Sequence, residues 1–285
     1  MRTLAKPVLD GFEAREADLF GAPVRYLVGG SGRPLALVHG LGGSSANWAD
    51  LAPALARRRR VIALDLPGHG CSAPLSAAPS LAPFGDAVAT VLEREQAVPA
   101  PVVGHSLGGV VALRTALRRP DVVAALVLAS GAGISSATAE ARRALLLIGM
   151  LRPGRRIAPW RRPIGRSALL KRLAFAYWFT ADPLALSERA VDGFLVGHLW
   201  HSDIASAWRA LVREDVRADL EGVRSPALVL WAADDRQLPL DDAFDYARRL
   251  RAPLRVIPDC GHLLIGERPD ACCDAIEAFL DAHDL

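Results

Sequence analysis

Lysine is almost missing from this chain. Only Lys6 and Lys171 stand among its 285 residues, and arginine carries nearly all of the positive charge. The substitution runs through motif and surface positions alike, so it reads as a codon-usage bias rather than a local binding patch. No excess of either sign accompanies it. The formal net charge of +3 at pH 7 provides no global field for a polyanion, and no nucleic-acid partner is expected. The four cysteines, Cys71, Cys260, Cys272 and Cys273, lack metal-ligand spacing, and the adjacent two are poorly placed to pair with each other. Reduced thiols are expected, with no metal and no cofactor. Long apolar runs are absent as well. The longest in the middle of the chain, residues 144–151, has eight residues, against the roughly 18–20 that span a bilayer. Residues 1–10 carry Arg2 and Lys6 but no apolar signal core. The expectation is a cytoplasmic protein without a transmembrane segment.

What is present is globular. Hydrophobic residues make up 51% and charged residues 23%, too apolar for disorder, and the length suits one large domain or a domain with an insertion. Short apolar runs alternate with helical patterns. Residues 12–18 and 23–28 read as a hairpin, and 35–38, 61–64, 102–103 and 122–129 as strands, the apolar runs among them typical of a sheet covered on both faces. Trp48, Leu51 and Leu55 fall at helical spacing, as do Phe84, Val88, Val91 and Leu92 within 82–96. Residues 57–60, four arginines in a row, read as the solvated end of a helix rather than a nucleic-acid patch. The strand pattern then stops and resumes at 226–231 and 254–257, with helices at 242–250 and 269–281. This implies an α/β core of about eight strands, mostly parallel, with helices on both faces. Residues 1–130 and 223–285 form that core, and 131–222 a helical insertion.

One stretch organises the rest. Gly104-His105-Ser106-Leu107-Gly108-Gly109 follows an apolar strand and opens a helix, the pattern of a G-x-S-x-G nucleophile elbow. By composition alone about 0.1 such matches arise per chain of this length, so the elbow needs partners. A serine hydroxyl needs a base within reach, and the base needs an acid to orient it. The loop after 122–129 offers no acid. The loop after 226–231 offers Asp234 and Asp235, and the turn after 254–257 offers His262. Both loops follow the carboxyl ends of strands, where open α/β sheets place their sites.

With His39-Gly40-Leu41-Gly42-Gly43, Asp65-Leu66-Pro67-Gly68-His69-Gly70, the elbow, the stretch 231–239, and Gly261-His262 followed by Glu267 and Pro269, the sequence resembles the α/β-hydrolase superfamily. The similarity is to its branch with a helical cap, here 131–222, in the manner of esterases and lipases. It implies a triad of Ser106, Asp235 and His262, because the family places the acid four residues before a proline, here Pro239. Backbone N–H groups of Leu41 and Leu107 are the implied oxyanion donors. His39, His69 and His105 are expected to brace loops, and Cys71 and Cys260 to pack. Ala232 departs from the family's usual glycine by one methyl. Ser106 also excludes the relatives that use Asp at the elbow, such as haloalkane dehalogenases and epoxide hydrolases.

The activity implied is cleavage of carboxylic esters of small to medium apolar substrates through an acyl-enzyme. The alternatives on the same triad are carbon–carbon bond hydrolysis of ring-fission diketones, and acyl transfer or perhydrolysis. From another class comes a non-catalytic ligand receptor, which the full triad disfavours. Phe175, Tyr177, Trp178, Phe179, Phe194, Trp200 and Trp208 are expected to pack the insertion onto the core or, with Trp48, to line an apolar pocket. His198 and His201 have no metal-ligand company. Residues 142–172 hold ten basic residues and no acidic one. The segment is expected to be a solvated face, in preference to peripheral contact with an anionic membrane or a grip on a substrate carboxylate.

Overall fold

The computed structural model describes residues 6–74, 80–134, 153–176, 178–213 and 216–285. Eight strands form one sheet: β1 (Phe12–Leu19), β2 (Ala22–Gly29), β3 (Pro34–Val38), β4 (Arg60–Leu64), β6 (Ala100–His105), β7 (Val123–Ala129), β9 (Ala227–Ala232) and β10 (Leu254–Ile257). Their order is β1-β2-β4-β3-β6-β7-β9-β10. The β1–β2 and β2–β4 pairs are antiparallel, and every other neighbouring pair is parallel. Two residues of β5 (His69–Gly70) pair with two of β8 (His201–Ser202), a small ladder that the apolar pattern does not announce. Such short pieces bury too few side chains to leave a periodicity.

The central strands are buried on both faces, and alternation decides which residue serves which side. Ala36, Val38, Ile62, Leu64, Val229 and Trp231 join one core cluster, while Leu35, Leu37, Val61, Ala63, Leu228 and Leu230 join the other. Helices α1 (Leu51–Leu55), α2 (Ala82–Arg94) and α3 (Leu107–Arg118) precede β7. The expected single helix around Trp48 is instead a 3-10 turn, Ser45–Trp48, followed by α1. Between β7 and β9 come α4 (Pro153–Ile157), α5 (Arg161–Arg166), α6 (Ala168–Phe175), α7 (Glu188–Val196) and α8 (Ile204–Leu211). Helices α9 (Leu240–Leu250), α10 (Leu264–Glu267) and α11 (Pro269–Ala282) complete the chain.

Strand order reverses at β3. From β3 the chain steps to β4 on one side, then returns to lay β6 on the other. The loops leaving the carboxyl ends of β3 and β6 therefore diverge over a crevice, the usual ligand position in such sheets. Val38 is paired with Gly104, which sets the 39–43 loop beside Ser106.

Within the arginine run 57–60, Arg57 and Arg58 are exposed as expected of a solvated helix end, and Arg59 departs from it. Arg59 is 3% exposed, and its Nε and Nη2 donate to the Glu277 carboxylate on α11 at 2.8–3.1 Å. Its Nη1 donates to the Leu285 main-chain oxygen, and Arg58 reaches Glu277 and Asp281. The cause is packing: α11 buries Cys272, Ile276 and Phe279 against the sheet, which brings its polar edge onto the start of β4. Removing one member of a buried pair leaves an uncompensated charge. Arg59→Ala is expected to lower unfolding stability by about 3–5 kcal/mol, and Arg59→Met/Glu277→Leu to recover most of that loss. Urea denaturation of the three proteins checks both statements.

Candidate active site

Ser106 sits between β6 and α3 with φ 54° and ψ −118°, a left-handed conformation that a side chain seldom adopts. Its neighbours explain how the turn is tolerated. A Cβ at Gly104 would lie 2.2 Å from the Gly108 carbonyl oxygen, and one at Gly108 would lie 2.0 Å from that of Val38. Helix α3 thus starts directly against the ends of β6 and β3, and the hydroxyl is held at the crevice. Ser106 keeps partial exposure where residues on both sides are buried. Leu107 opens the twelve-residue α3, so its N–H lies at the positive end of the helix dipole. The 39–43 loop is close: a Cβ at Gly40 would be 3.1 Å from the Ser106 Cβ. Leu41 follows immediately.

Two distant loops converge here. His262 Nε2 lies 3.1 Å from Ser106 Oγ, and His262 Nδ1 lies 2.8 Å from Asp235 Oδ2. The Asp235 side chain is fully buried, and its other oxygen accepts N–H bonds from Gln237 and Leu238, each at 2.9 Å. Burial pushes this carboxyl up, but the His262 imidazole and those N–H donors outweigh it and hold it below the usual carboxylate range. An ionised acid on Nδ1 selects the tautomer in which Nε2 accepts from the serine. Asp234, the other sequence candidate, is exposed and uses its N–H on the Cys260 carbonyl. The structure therefore brings Ser106, His262 and Asp235 into one hydrogen-bonded line and leaves Asp234 outside it.

His39 and His105 hold loops. His39 Nδ1 donates to the Gly40 carbonyl at 2.7 Å, and its Nε2 accepts from the Leu66 N–H at 3.0 Å, tying the 39–43 loop to the end of β4. His105 Nε2 donates to the His262 carbonyl at 2.8 Å. Burial depresses both imidazoles to about 3. His198 lies against Gly42 and is lowered to about 4, again by burial. Cys71, Cys260, Cys272 and Cys273 are all buried, and burial raises each thiol. None carries thiolate character.

Glu267 has a part that the pattern around His262 did not disclose. Its buried carboxylate accepts N–H bonds from Ala181 (3.0 Å), Asp182 (2.9 Å) and Gly261 (3.2 Å). Leu263 N–H bonds to the Phe179 carbonyl at 3.0 Å, and a Cβ at Gly261 would lie 2.6 Å from Thr180 Cα. The loop bearing His262 is thus bonded to residues 179–182, in the stretch between β7 and β9. One signal was available: Glu267 is an acid at the end of an otherwise apolar stretch, which calls for buried partners. Of the aromatics in the insertion, Phe175, Phe194 and Trp208 are buried, Phe179 and Trp200 half-buried and Trp178 exposed, while Tyr177 lies outside the described residues. Phe175 and Phe194 pack 6.5 Å apart, and Trp48 is fully buried. The whole apolar run 144–151, with Arg142, Arg143 and Arg152, lies outside the described residues.

The family model for the alpha/beta hydrolase fold matches residues 33–269. This chain belongs to that family. Among relatives, it is 33% identical over 277 residues to the dihydrolipoyllysine-residue acetyltransferase component of an acetoin cleaving system from Pseudomonas putida, covering 94% of this chain and 70% of that one. It is 32% identical over 263 residues to a pimeloyl-(acyl-carrier protein) methyl ester esterase from Aromatoleum aromaticum, covering 85% and 96%. A crystal structure of a hydrolase from Pseudomonas aeruginosa PA01 superposes with a TM-score of 0.72 at 25% identity, over 94% of this chain and 98% of that one. Hydrolases thus stand among the relatives of this α/β-hydrolase.

Two outcomes follow from the buried groups. His39 and His105 stay neutral in the fold to about pH 3, whereas an unfolded imidazole takes its proton near 6.5. Below pH 6.5 the unfolded chain therefore binds protons that the native one refuses, and stability falls with pH until the folded values are reached. Each contributes a slope of about 1.4 kcal/mol per pH unit within that window. Asp235, depressed below its usual range, adds its own loss only at the acid end. Urea midpoints measured from pH 7 to 4 should fall steadily, and a flat profile contradicts this. Glu267→Ala removes the acceptor of three main-chain donors and is expected to lower stability by about 1–3 kcal/mol in the same assay.

Proposed function

We propose that this α/β-hydrolase is a serine hydrolase of carboxylic esters with small to medium apolar parts, working through an acyl-enzyme. The observation that carries the reading is the Ser106–His262–Asp235 line, at 3.1 and 2.8 Å, at the strand-order reversal. Ser106 Oγ attacks the ester carbonyl carbon while His262 Nε2 takes its proton. The carbonyl oxygen becomes an oxyanion facing the Leu41 and Leu107 N–H groups, the latter aided by the α3 dipole. Asp235 steadies the imidazolium. Collapse breaks the carbon–oxygen bond, and His262 returns the proton to the departing alcohol. Water then attacks the acyl-enzyme, again giving its proton to Nε2, and the acid leaves as Ser106 regains its hydrogen. Residues 131–222 act as a cap over this site, which the bonds from 179–182 to the His262 loop support. The Aromatoleum relative, named an ester esterase, supports the substrate class.

Acyl transfer is a second reading, favoured by the name of the Pseudomonas putida relative. It differs only in the acceptor that replaces water.

A fluorophosphonate is expected to label Ser106 and to fail on Ser106→Ala. A series of p-nitrophenyl esters of graded chain length should be hydrolysed with an initial burst, and Asp235→Asn should lower kcat by about 10³–10⁴-fold. Binding without turnover across the series identifies a receptor instead, and rate enhancement by added thiol or alcohol identifies a transferase.

A further inference from the structure

Helix α6 turns leucines outward. Leu169 and Leu173, one helical turn apart, are 66% and 75% exposed, and Leu170 beside them is also exposed. A surface helix ordinarily buries such a stripe. More exposed apolar side chains stand around it. Leu184 lies on the 3-10 turn Pro183–Ala185, which packs against α6, and Trp178 follows the end of the helix. Trp160, 64% exposed, immediately precedes α5, which also packs against α6. Scattered apolar residues are normal on a surface, but a cluster on neighbouring elements marks an interaction site.

Charge on the same segment has one sign. Residues 153–175 contain seven basic residues and no acidic one. Arg155, Arg156, Arg162 and Arg172 are exposed there, while Arg161 and Arg166 pair with Asp192 and Glu188 of α7. Leucine and tryptophan flanked by arginine is the chemistry of a helix lying in a phospholipid interface.

We propose that α6 and its flanks form a docking surface for an anionic phospholipid bilayer. Leu169, Leu170, Leu173 and Trp160 enter the headgroup region, and the exposed arginines meet the phosphates. Charge complementarity selects this occupant. A second copy docking through the same face would set the exposed Arg155, Arg156, Arg162 and Arg172 against the same four, with no acid within 153–175 to offset them. Among the described residues no helix is long and apolar enough to cross a membrane, so the contact is peripheral. Three residues after α6 come 179–182, which are bonded to the His262 loop, so the proposed surface is close in the chain to the segment beside the proposed catalytic histidine.

Co-sedimentation of the whole chain with vesicles tests the surface without reference to catalysis. Vesicles of phosphatidylcholine with one-third phosphatidylglycerol should bind it at low salt, with release at high salt, and pure phosphatidylcholine should bind far less. Leu169→Ser/Leu173→Ser should weaken binding at least about ten-fold, and Arg155→Ala/Arg156→Ala by about five-fold per arginine. All four positions are exposed, and circular dichroism should show unchanged folding. Phe20→Ser, at a 79% exposed phenylalanine in the β1–β2 turn, should bind as the unaltered chain does, and so should Ser106→Ala. Failure of the unaltered chain to bind anionic vesicles overturns the proposal. So does binding indifferent to the leucine pair, or sedimentation-velocity dimerisation that the leucine pair abolishes in the absence of vesicle binding.

Discussion

The parallel pairing of β3 with β6 is the constraint on which the site depends. It places Val38 opposite Gly104 and brings two loops that diverge from the reversal of strand order to one crevice. Helix α3 must then begin against backbone, with no room for a Cβ at Gly104 or Gly108. The positive φ of Ser106 is the consequence, and so is the nearness of Gly40 to the serine. A sheet buried on both faces can hold a strained turn of this kind because every neighbouring strand is fixed by its own packing.

Around that fixed centre, buried polar groups set the position of His262. His105 holds the His262 main chain, Asp235 holds its ring, and Glu267 holds the start of its loop. Each of these contacts satisfies a group that would be costly to bury alone. The same economy explains the neutral His39 and His105, whose hydrogen bonds need no charge. The buried His105 then joins the loss of stability expected in acid to the placement of His262. The stretch between β7 and β9 adds its main chain at 179–182 to this network, so the loop bearing His262 is held from both sides.

Much of this was readable in the residues. The central strands β3, β4, β6, β7 and β9 follow from apolar runs, because a strand buried on both faces has no choice about composition. Ser106 and His262 stand in turns whose glycines mark tight or crowded backbone. Other features had no such mark. Arg59 looks like its three neighbours and differs only in what α11 brings to it. The β5–β8 ladder is too short for a period. Leu169 and Leu173 carry the spacing of a core stripe, yet the helix presents them to solvent. Periodicity reports that a face is apolar and is silent on what covers it.

The order of strands and helices, the elbow with its flanking glycines, and the identity of an acid and a histidine after later strands were determined by the sequence alone, since each is a local pattern imposed by backbone geometry and burial. Tertiary structure decided the rest: the contacts that join Ser106, His262 and Asp235, the clamp at Glu267, the burial of Arg59 and the exposure of α6. These are relations between residues far apart in the chain. No local preference encodes them, because they exist only once the sheet has closed and its packed faces have fixed where each loop ends.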